Sequence, residues 1–492
     1  MAHPIASVVK AYDVRGVVGE HVDETSFAAL GRAFVDAVAR EGAGEAEPRV
    51  VVGHDMRPSS PGLARAFAEG AAAAGARVEL LGLTSTDQLY LASGLHDAAG
   101  AMVTASHNPA RYNGLKLCRA GALAVSLETG LADVRDGALV LLDADGPVPP
   151  AAGGSVEERD SLAEYARHLR GLVDLSASRP LRVVVDAGNG MAGLTAPAVL
   201  GTAAGLEALP LELVPLYWEL DGSFPNHEAN PLDLTTLTDL QAAVREHGAD
   251  AGLAFDGDAD RCVVVDEHGA VVDASAVTAM VARDEIARAR AAGEERPVVL
   301  HNLISSRSVP ETVAAAGGQA VRTRVGHSYI KAEMARTGAV FGGEHSAHYY
   351  FRDFYGADSG MLAAMHVLAA LGRTPAGTGL SSLVADFARY ARSGEVNSTV
   401  ADAPGATARA VEAARSWSGD VAVDDLDGTT VEAADGTWWF NLRPSNTEPL
   451  LRLNVEAVDE ATMVRVRDAV LAVVRGDAAE RTEQTERTEE TT

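Results

Sequence analysis

Three aspartates at alternate positions form the densest group of chemically active side chains in this sequence. Asp256, Asp258 and Asp260 directly follow the apolar segment GLAF. On a straight strand the outer two would lie about 13 Å apart at roughly 3.3 Å per residue, too far to share a cation, so we expect a loop that curls at Gly257. Crowded carboxylates repel one another unless a positive charge lies among them. The spacing therefore favours a divalent-cation site over a solvated acidic turn.

Two other classes of protein use similar aspartate spacing. An EF-hand would add Glu267 as its last ligand, but it needs glycine where Arg261 stands and a helix on each side, whereas CVVVDEHGAVVDA is typical of a hairpin. A haloacid-dehalogenase-like phosphatase would use Asp256 as its nucleophile and would carry Thr or Val where Asp260 stands. Both alternatives fit less well than a cation site.

Ser106, in the segment TASHNP, follows the apolar strand GAMV. It would then lie at the carboxyl end of a sheet, where ligands bind in α/β folds, although such a serine is often only a helix N-cap. His107 does not suggest a catalytic triad, because neighbouring side chains on a strand point to opposite faces. The Gly-x-Ser-x-Gly elbow of serine hydrolases is absent here.

Two later segments carry groups that could bind a phosphorylated sugar. Hydroxyls, an amide and guanidinium groups suit a phosphate dianion, and they occur together at Arg443, Ser445, Asn446, Thr447 and Arg452. An ordinary polar turn is an equally good interpretation of this segment.

In the other segment, alternation at period two places Glu344, Ser346 and His348 on one side of an extended chain. A carboxylate, a hydroxyl and an imidazole suit the recognition of sugar hydroxyls. The alternatives are a zinc site at His345 and His348, which would face opposite ways, and a buried polar strand.

Only three of the 41 basic residues are lysines, at positions 10, 116 and 331. Lysine can release its proton near neutral pH and arginine cannot. The three lysines therefore mark places where a titratable or compact cation is needed, unless their placement is due to chance.

The elements that must position these residues recur along the chain. Strand, polar loop and Ala-rich helix follow one another from residues 49, 182 and 297, which indicates three similar α/β domains with largely parallel sheets. Two short strands, WWFNLR and LLRLNVEA, and a helix over 459–474 then predict a small α+β module. We expect α/β domains at 1–157, 158–264 and 265–378, an α+β domain at 379–476, and a disordered Thr/Glu/Arg-rich tail at 477–492.

Composition excludes several classes of function. A formal net charge of −28 repels nucleic acid and anionic membranes. Two cysteines are too few for a disulfide framework. The longest apolar run, at 360–372, suits a core helix and is too short to cross a bilayer. The first residues lack the pattern of a signal peptide. We therefore expect a cytoplasmic protein that binds neither nucleic acid nor membranes.

Taken in order, these segments resemble the α-D-phosphohexomutase superfamily over residues 5–475, in its bacterial phosphomannomutase/phosphoglucomutase branch. The resemblance implies an α/β fold of four domains around a central cleft, three of similar mixed α/β topology and a C-terminal α+β domain. Further matching segments are KAYDVRG from Lys10, DAGNG from Asp186, FPNH from Phe224 and VGHS from Val325.

The resemblance also implies roles for the residues. Ser106 would be a phosphoserine, with Mg²⁺ held by Asp256, Asp258, Asp260 and an oxygen of the serine phosphate. The phosphoryl group would pass to a hexose phosphate through a hexose 1,6-bisphosphate. Cationic help would come from Arg15, Lys116 and Arg261, with Lys116 the general acid/base and His327 a second candidate. Sugar hydroxyls would be read by Glu344, Ser346 and His348, and the distal phosphate held by Arg443, Ser445, Asn446, Thr447 and Arg452.

We expect mannose 1-phosphate and mannose 6-phosphate as the substrates. Ala347, where many relatives carry glycine, favours this choice slightly. The alternatives are a phosphoglucomutase, a dual-specificity mutase, and a noncatalytic phosphosugar-binding protein. A phosphoglucosamine mutase fits less well, because its loop usually carries Gln where His345 stands. The sequence does not indicate the oligomeric state.

Overall fold

The computed structural model describes residues 3–43, 47–144, 151, 153–444 and 450–489. Within these residues, the strands form one sheet in each of four domains. The expected fold, three mixed α/β domains followed by an α+β domain, is confirmed.

Domain I contains a mixed sheet in the order β1-β5-β4-β2-β3-β7, with β6 paired to β5. Strands β2, β3, β4 and β7 pair in parallel, whereas β5 runs antiparallel to β4 and β1. The strands are β1 Asp13–Val17, β2 Arg49–His54, β3 Arg77–Leu83, β4 Ala99–Val103, β5 Tyr112–Arg119, β6 Leu123–Ala124 and β7 Ser155–Glu158. The helices are α1 Ile5–Val8, α2 Glu24–Phe34, α3 Arg40–Ala43, α4 Ser60–Ala73, α5 Thr86–His96 and α6 Leu131–Leu142.

Domain II contains a sheet in the order β12-β11-β10-β8-β9, in which β10, β8 and β9 are parallel and β11 is antiparallel to β10. Its strands are β8 Leu181–Asp186, β9 Leu211–Leu216, β10 Ala251–Phe255, β11 Cys262–Asp266 and β12 Val271–Val272. Its helices are α7 Leu162–Leu172, α8 Ala192–Val199 and α9 Thr238–His247.

Domain III contains a sheet in the order β14-β13-β15-β16-β17, again with three parallel strands followed by an antiparallel neighbour. Its strands are β13 Val298–Asn302, β14 Gln319–Thr323, β15 Phe341–Gly343, β16 Tyr349–Phe351 and β17 Ala357–Asp358. Its helices are α10 Ala274–Ala291, α11 Ser308–Ala315, α12 His327–Thr337, α13 Gly360–Gly372 and α14 Leu380–Ala385. Short 3₁₀ turns lie at Ala120–Ala122, Leu127–Thr129, Leu234–Leu237 and Arg352–Phe354, and the π-helical segment Val35–Ala39 joins α2 to α3.

Domains I to III repeat one arrangement, in which a buried parallel strand turns into an antiparallel neighbour. The strands concerned are β4, β10 and β15, and every residue of each is buried. Their turns are the serine loop (104–111), the aspartate loop (256–261) and the glutamate loop (344–348). The repeat therefore places three of the four chemically active segments at equivalent positions.

Domain IV is an antiparallel sheet in the order β18-β22-β21-β20-β19 covered by two helices. Its strands are β18 Ala391–Thr399, β19 Val421–Asp424, β20 Thr429–Ala433, β21 Trp438–Pro444 and β22 Leu450–Ala457, and its helices are α15 Ala403–Ser418 and α16 Glu460–Glu489. The strands expected from WWFNLR and LLRLNVEA are β21 and β22.

The fourth sheet begins at Ala391, after the domain start expected at 379. Helix α14 lies between these positions, and its Leu380 and Val384 pack into the core shared by domains II and III. Helix α16 continues to Glu489 and so extends into the tail at 477–492, whose expected disorder remains a prediction.

Domain I and domain IV each have an apolar core of their own, and domains II and III share one. The expected core helix at 360–372 is α13, which is almost wholly buried. Among the described residues, no helix is both long and apolar enough to cross a membrane.

Candidate active site

Ser106 lies at the bend of the serine loop and is fully buried. Its φ of +50° is a left-handed conformation that costs a non-glycine residue free energy, and such strain tends to persist where the surrounding structure enforces it. Its N–H donates to Thr104 Oγ1 at 2.9 Å. Its hydroxyl donates to Asp256 Oδ2 at 3.0 Å and lies 3.3 Å from His107 Nδ1. The serine loop and the aspartate loop therefore meet at this hydroxyl.

The aspartate loop gathers three buried carboxylates. One oxygen each from Asp256, Asp258 and Asp260 lies within 4.8 Å of the others. Burial and then the negative charges of Asp260 and Asp258 hold the pKa of Asp256 well above its ordinary value. Asp258 Oδ1 and Asp260 Oδ1 are buried and accept no hydrogen bond from any residue that the structure describes. Unpartnered carboxylate oxygens at this spacing fit a divalent cation such as Mg²⁺.

Gly257 brings the aspartate loop into contact with the serine loop. A Cβ atom on Gly257 would lie 2.5 Å from the backbone oxygen of Ser106, so a larger residue would push the two loops apart. The close contact between the two loops therefore requires glycine at position 257 for steric reasons. This adds to the backbone flexibility for which the sequence analysis singled out Gly257.

Lys116 extends from β5 into the carboxylate cluster. Its Nζ donates to Asp258 Oδ2 at 2.6 Å and to Asp260 Oδ2 at 2.5 Å. Burial opposes the charged ammonium, but the two carboxylates outweigh it and raise the pKa of Lys116 above its ordinary value. The lysine is thus a charged partner of the candidate metal ligands, and one of its three N–H groups is not used by these two bonds.

Two arginines flank the serine loop. Arg15 Nη1 donates to Ala105 O at 2.5 Å and to Asn108 Oδ1 at 2.6 Å. Arg261 Nη2 donates to His107 Nδ1 at 3.1 Å, and Arg261 Nε lies 3.5 Å from Asp256 Oδ2. Burial and the charge of Arg261 lower the pKa of His107 to about 2, so its ring is neutral and can accept this bond.

The glutamate loop is a tight turn between antiparallel strands, so the expected extended segment is wrong. Glu344 N donates to His348 O, and Ala347, at φ +59°, reverses the chain. The three expected side chains still converge, with His348 Nδ1 3.2 Å from Ser346 Oγ and 3.5 Å from Glu344 Oε2. The side chains converge because the chain turns back on itself, and not because alternate residues of an extended strand share one side. The left-handed conformation of Ala347 also explains why glycine suits this position.

The glutamate loop also contacts the cationic side of the site. His348 Nε2 accepts a hydrogen bond from Arg261 Nε at 3.2 Å. Glu344 is held by Tyr350 OH at 2.8 Å and by the backbone N–H of Gly326 at 3.0 Å. Domain III therefore joins the pocket that domains I and II form around Ser106.

His327 is the first residue of α12, and its ring packs edge-on against Tyr12 at a centroid distance of 4.2 Å. Its ring centroid is 6.4 Å from that of His348. Burial, followed by the positive charge of Lys331, holds the pKa of His327 well below its ordinary value. The imidazole is therefore neutral at pH 7, and burial and this charge oppose its protonation.

Arg443 and Arg452 face each other across β21 and β22. Both approach Glu395, with N···O distances of 3.7 and 3.4 Å, and the Nε of each is buried without a hydrogen-bond partner among the described residues. Burial and the charges of Arg392 and Arg443 lower the pKa of His345 to about 3, so domain IV presents positive charge to the glutamate loop. Ser445, Asn446 and Thr447 lie outside the described residues.

Sequence reasoning missed the residues that support these loops. Asp55 and Arg57, which are fully buried, hold the serine loop from below. Thr86 Oγ1 donates to Asp258 Oδ2 at 2.5 Å. Their position in the sequence could have indicated this role. Asp55 and Arg57 follow β2, and so lie at the same edge of the sheet as Ser106, where ligand-binding residues are found in α/β folds.

Comparison with known proteins gives a consistent match along the chain. Family models described as phosphoglucomutase/phosphomannomutase alpha/beta/alpha domains I, II and III match residues 6–132, 163–269 and 273–390. The model for the C-terminal domain of the same family matches residues 395–473.

Individual proteins are similar over nearly their whole length. The chain is 39% identical over 474 residues to a phosphomannomutase of Salmonella typhimurium, covering 94% of this chain and 97% of that protein. It is 40% identical over 461 residues to a phosphohexose mutase of Xanthomonas campestris, covering 93% and 96%. A crystal structure of a phosphoglucomutase/phosphomannomutase family protein from Burkholderia thailandensis superimposes with a TM-score of 0.79 at 30% identity, covering 96% and 97%.

Proposed function

Because the chain belongs to the phosphoglucomutase/phosphomannomutase family and is a mutase of the isomerase class, we propose that it interconverts mannose 1-phosphate and mannose 6-phosphate through a phosphorylated Ser106 and a hexose 1,6-bisphosphate. The observation that carries this proposal is the 3.0 Å contact between Ser106 Oγ and Asp256 Oδ2. It joins a buried hydroxyl to a three-carboxylate cluster with three cationic side chains around it.

In the proposed reaction, the phosphoryl group of phosphorylated Ser106 moves to the free hydroxyl of the hexose phosphate. The bond from phosphorus to Ser106 Oγ breaks, a bond to the sugar oxygen forms, and the sugar hydroxyl gives its proton to a base. The bisphosphate then reorients and returns its other phosphoryl group to Ser106. The net change moves phosphate between O1 and O6, so no other reactant is consumed.

Asp256, Asp258 and Asp260 would hold Mg²⁺ together with an oxygen of the serine phosphate. When bound there, Mg²⁺ would offset negative charge on the transferring phosphoryl group. The unpartnered oxygens of Asp258 and Asp260 support this assignment.

The remaining charge would be offset by Arg15, Arg261 and Lys116, which surround Ser106 on the side of domains I and II. Phosphoryl transfer depends mainly on positioning and electrostatic stabilisation, and these side chains are already fixed by hydrogen bonds. His327 and Lys116 are the proposed proton-handling residues, because Lys116 bonds Asp258 and Asp260 and the His327 ring lies beside that of His348.

Substrate recognition is assigned to two loops. Glu344, Ser346 and His348 would bind the sugar hydroxyls, because their side chains converge in the glutamate loop. Arg443 and Arg452, with Ser445, Asn446 and Thr447, would hold the phosphate that does not react. The unpartnered Nε groups of the two arginines support an anion there.

The first test compares kcat/KM for mannose 1-phosphate and glucose 1-phosphate, with Mg²⁺ and a trace of hexose 1,6-bisphosphate. A clear preference for mannose would support a phosphomannomutase. Equal rates, or a preference for glucose, would move the assignment to a dual-specificity mutase or a phosphoglucomutase, since the two sugars differ only in the orientation of O2.

Substitution Ser106→Ala tests the phosphoserine. We expect turnover to be lost while binding of the sugar phosphate, measured by calorimetry, is retained. Undiminished turnover would rule out Ser106 as the phosphoryl carrier, and binding without turnover in the unsubstituted protein would indicate a noncatalytic phosphosugar-binding protein.

A further inference from the structure

Arg57 lies directly beneath the serine loop, and its guanidinium is fully buried. Its Nη1 and Nη2 groups donate four hydrogen bonds of 2.6 to 3.0 Å to backbone carbonyl oxygens. The acceptors are Ser106, Asn108, Pro109 and Tyr112. A single guanidinium group therefore binds the backbone of the serine loop, and of the residue that follows it, at four carbonyl oxygens.

Asp55 completes this arrangement. It accepts the remaining guanidinium donor, Arg57 Nε, at 3.1 Å, so all five N–H groups of the side chain are used. Asp55 Oδ2 also accepts a hydrogen bond from Thr104 Oγ1 at 2.7 Å, and Thr104 Oγ1 in turn accepts the N–H of Ser106. Both the N–H and the C=O of Ser106 are thus connected to the Asp55–Arg57 pair.

Domain II covers the same arginine. The Phe224 ring lies 5.1 Å from Arg57 Cζ, a cation–π distance. Phe224 has φ +53°, which is unusual for a bulky residue. A Cβ atom on Gly222 would lie 2.6 Å from Arg57 Cα, so the two chains are in close contact here. The domain that supplies Asp256 to the Ser106 hydroxyl therefore also covers the arginine beneath it.

We infer that Asp55 and Arg57, covered by Phe224, form a positioning pair that holds Ser106 in its left-handed conformation with Oγ directed at Asp256. The consequence for catalysis rests on the proposed function of Ser106. Lysine cannot replace this arginine. Its three N–H donors all lie on one nitrogen, whereas the five N–H donors of the guanidinium are spread over a plane and reach five separate acceptors. Arg57 is a positioning residue, and it acts through the loop rather than on the substrate.

The test compares Arg57→Lys with the unsubstituted protein, using whichever hexose 1-phosphate the latter turns over faster. A displacement of about 1 Å at a reacting group can lower a rate about 10²-fold, so we expect kcat to fall by about that factor. We expect KM to change by less than about 3-fold, because the substrate loops of domains III and IV do not depend on Arg57 for their position. Phosphorylation of Ser106 by glucose 1,6-bisphosphate, followed by intact-protein mass spectrometry, should slow in parallel with kcat.

Two further variants separate positioning from general damage. Phe224→Leu changes no hydrogen-bonding group of Arg57 and removes only the cation–π contact, so kcat should fall by roughly 3- to 10-fold. This variant tests the inference on its own if Arg57→Lys does not fold. Arg65→Lys is the matched control, since among the residues that the structure describes Arg65 pairs only with the exposed Glu158 of the same domain, and its kinetics should be unchanged.

Amide hydrogen exchange, measured without substrate, tests the positioning role of Arg57 whether or not the proposed reaction occurs. We expect Arg57→Lys and Phe224→Leu to accelerate amide exchange in peptides that cover 104–114, while peptides elsewhere in domain I keep their protection. Unchanged exchange there, unchanged kcat, or a uniform loss of protection would overturn the inference. If Ser106 of the unsubstituted protein is never phosphorylated, the proposed function fails and the exchange comparison still decides the role of Arg57.

Discussion

At the scale of single residues, the central feature is the charge balance around the aspartate loop. Three buried carboxylates are held next to one another, and isolated buried charges are costly unless they are paired. Lys116 bonds two of them directly, and Arg261 approaches Asp256 and Asp260 at 3.5 and 4.0 Å. Lys116 and a divalent cation would therefore neutralise the same carboxylates.

This predicts that removing Lys116 makes stability depend on metal. In Lys116→Met, Asp258 and Asp260 lose a buried partner, which typically costs 3–5 kcal/mol. We expect denaturant unfolding in EDTA to show a loss of about that size, and excess Mg²⁺ to restore more stability to the variant than to the unsubstituted protein. Lys10→Met is the control, because Lys10 is exposed and, within the described part of the chain, donates only to the carbonyl of Ser7. An equal Mg²⁺ effect in both proteins would contradict the shared role.

Arg443 allows a second prediction at this scale. A hydrogen bond to a charged group contributes about 1.5–3 kcal/mol, so Arg443→Ala should raise KM for the hexose phosphate by roughly 10- to 100-fold. Because this residue is assigned to the phosphate that does not react, we expect kcat to fall by a smaller factor. A loss confined to kcat would argue that Arg443 does not bind that phosphate.

At the scale of elements, each α/β domain supports its functional loop in the same way. A residue at or shortly after the end of the first strand of each repeat, β2, β8 or β13, contacts the turn that carries the candidate functional side chains. In domain I the contact is Arg57 to Ser106, in domain II it is Met191 N to Gly257 O at 2.9 Å, and in domain III it is Asn302 to Glu344. The repeated topology thus provides a repeated means of fixing a loop.

Helix α5 connects three domains behind these loops through Asp87. This buried carboxylate accepts hydrogen bonds from Ser85 in domain I, Tyr165 in domain II and Ser359 in domain III. Burial outweighs these bonds and raises the pKa of Asp87 from 3.8 to about 6. An acid whose folded-state pKa is raised destabilises the fold once it ionises, so this cost is absent below pH 3.8 and complete above pH 6.

We therefore predict that Asp87→Asn changes the pH dependence of stability. The unsubstituted protein should lose about 3 kcal/mol from this group as the pH rises through that window, whereas the variant has no such titration. Urea unfolding of both proteins at several pH values between 4 and 7.5 measures the difference. Parallel curves for the two proteins would show that Asp87 does not titrate in this range.

At the scale of the whole molecule, domain IV, which carries the proposed phosphate-binding arginines, is docked on domain III. Arg392 of β18 donates to Asp273 Oδ2 at 2.5 Å and to Ile304 O at 2.8 Å. On the other side, Asp427 accepts the N–H of Val325, two residues before His327. Domain IV therefore contacts the segment that leads into α12 as well as the edge of domain III.

If the proposed hexose 1,6-bisphosphate forms in this site, weakening the docking of domain IV should release it. In Arg392→Ala, Asp273 loses a partly exposed ion-pair partner and the carbonyl oxygen of Ile304 loses a hydrogen-bond donor. We expect the steady-state rate to require about 10-fold more added hexose 1,6-bisphosphate for half-maximal activity. Arg415→Ala, on the outer face of α15 where the side chain pairs only weakly with Glu412, should behave like the unsubstituted protein. The same bisphosphate requirement in both variants would contradict the prediction.

Local pattern in the sequence was sufficient for much of the fold and for several of the segments that the structure brings together around Ser106. Apolar runs followed by polar loops located β2, β8 and β13, and therefore the three repeats. The spacing of Asp256, Asp258 and Asp260 indicated a curled loop, and two short apolar strands located the β21–β22 hairpin. These features depend on neighbours in the chain, which a sequence displays directly.

The tertiary structure alone decided how distant segments complete one another. Lys116 pairs with Asp258 across 142 positions of the chain, and Arg57 reaches Ser106 across 49. The turn of the glutamate loop and the packing of α14 on domain III also depend on neighbouring strands and cores. Side-chain pairing between remote segments is set by how the sheets and domains dock, and periodicity within one segment contains no information about that docking.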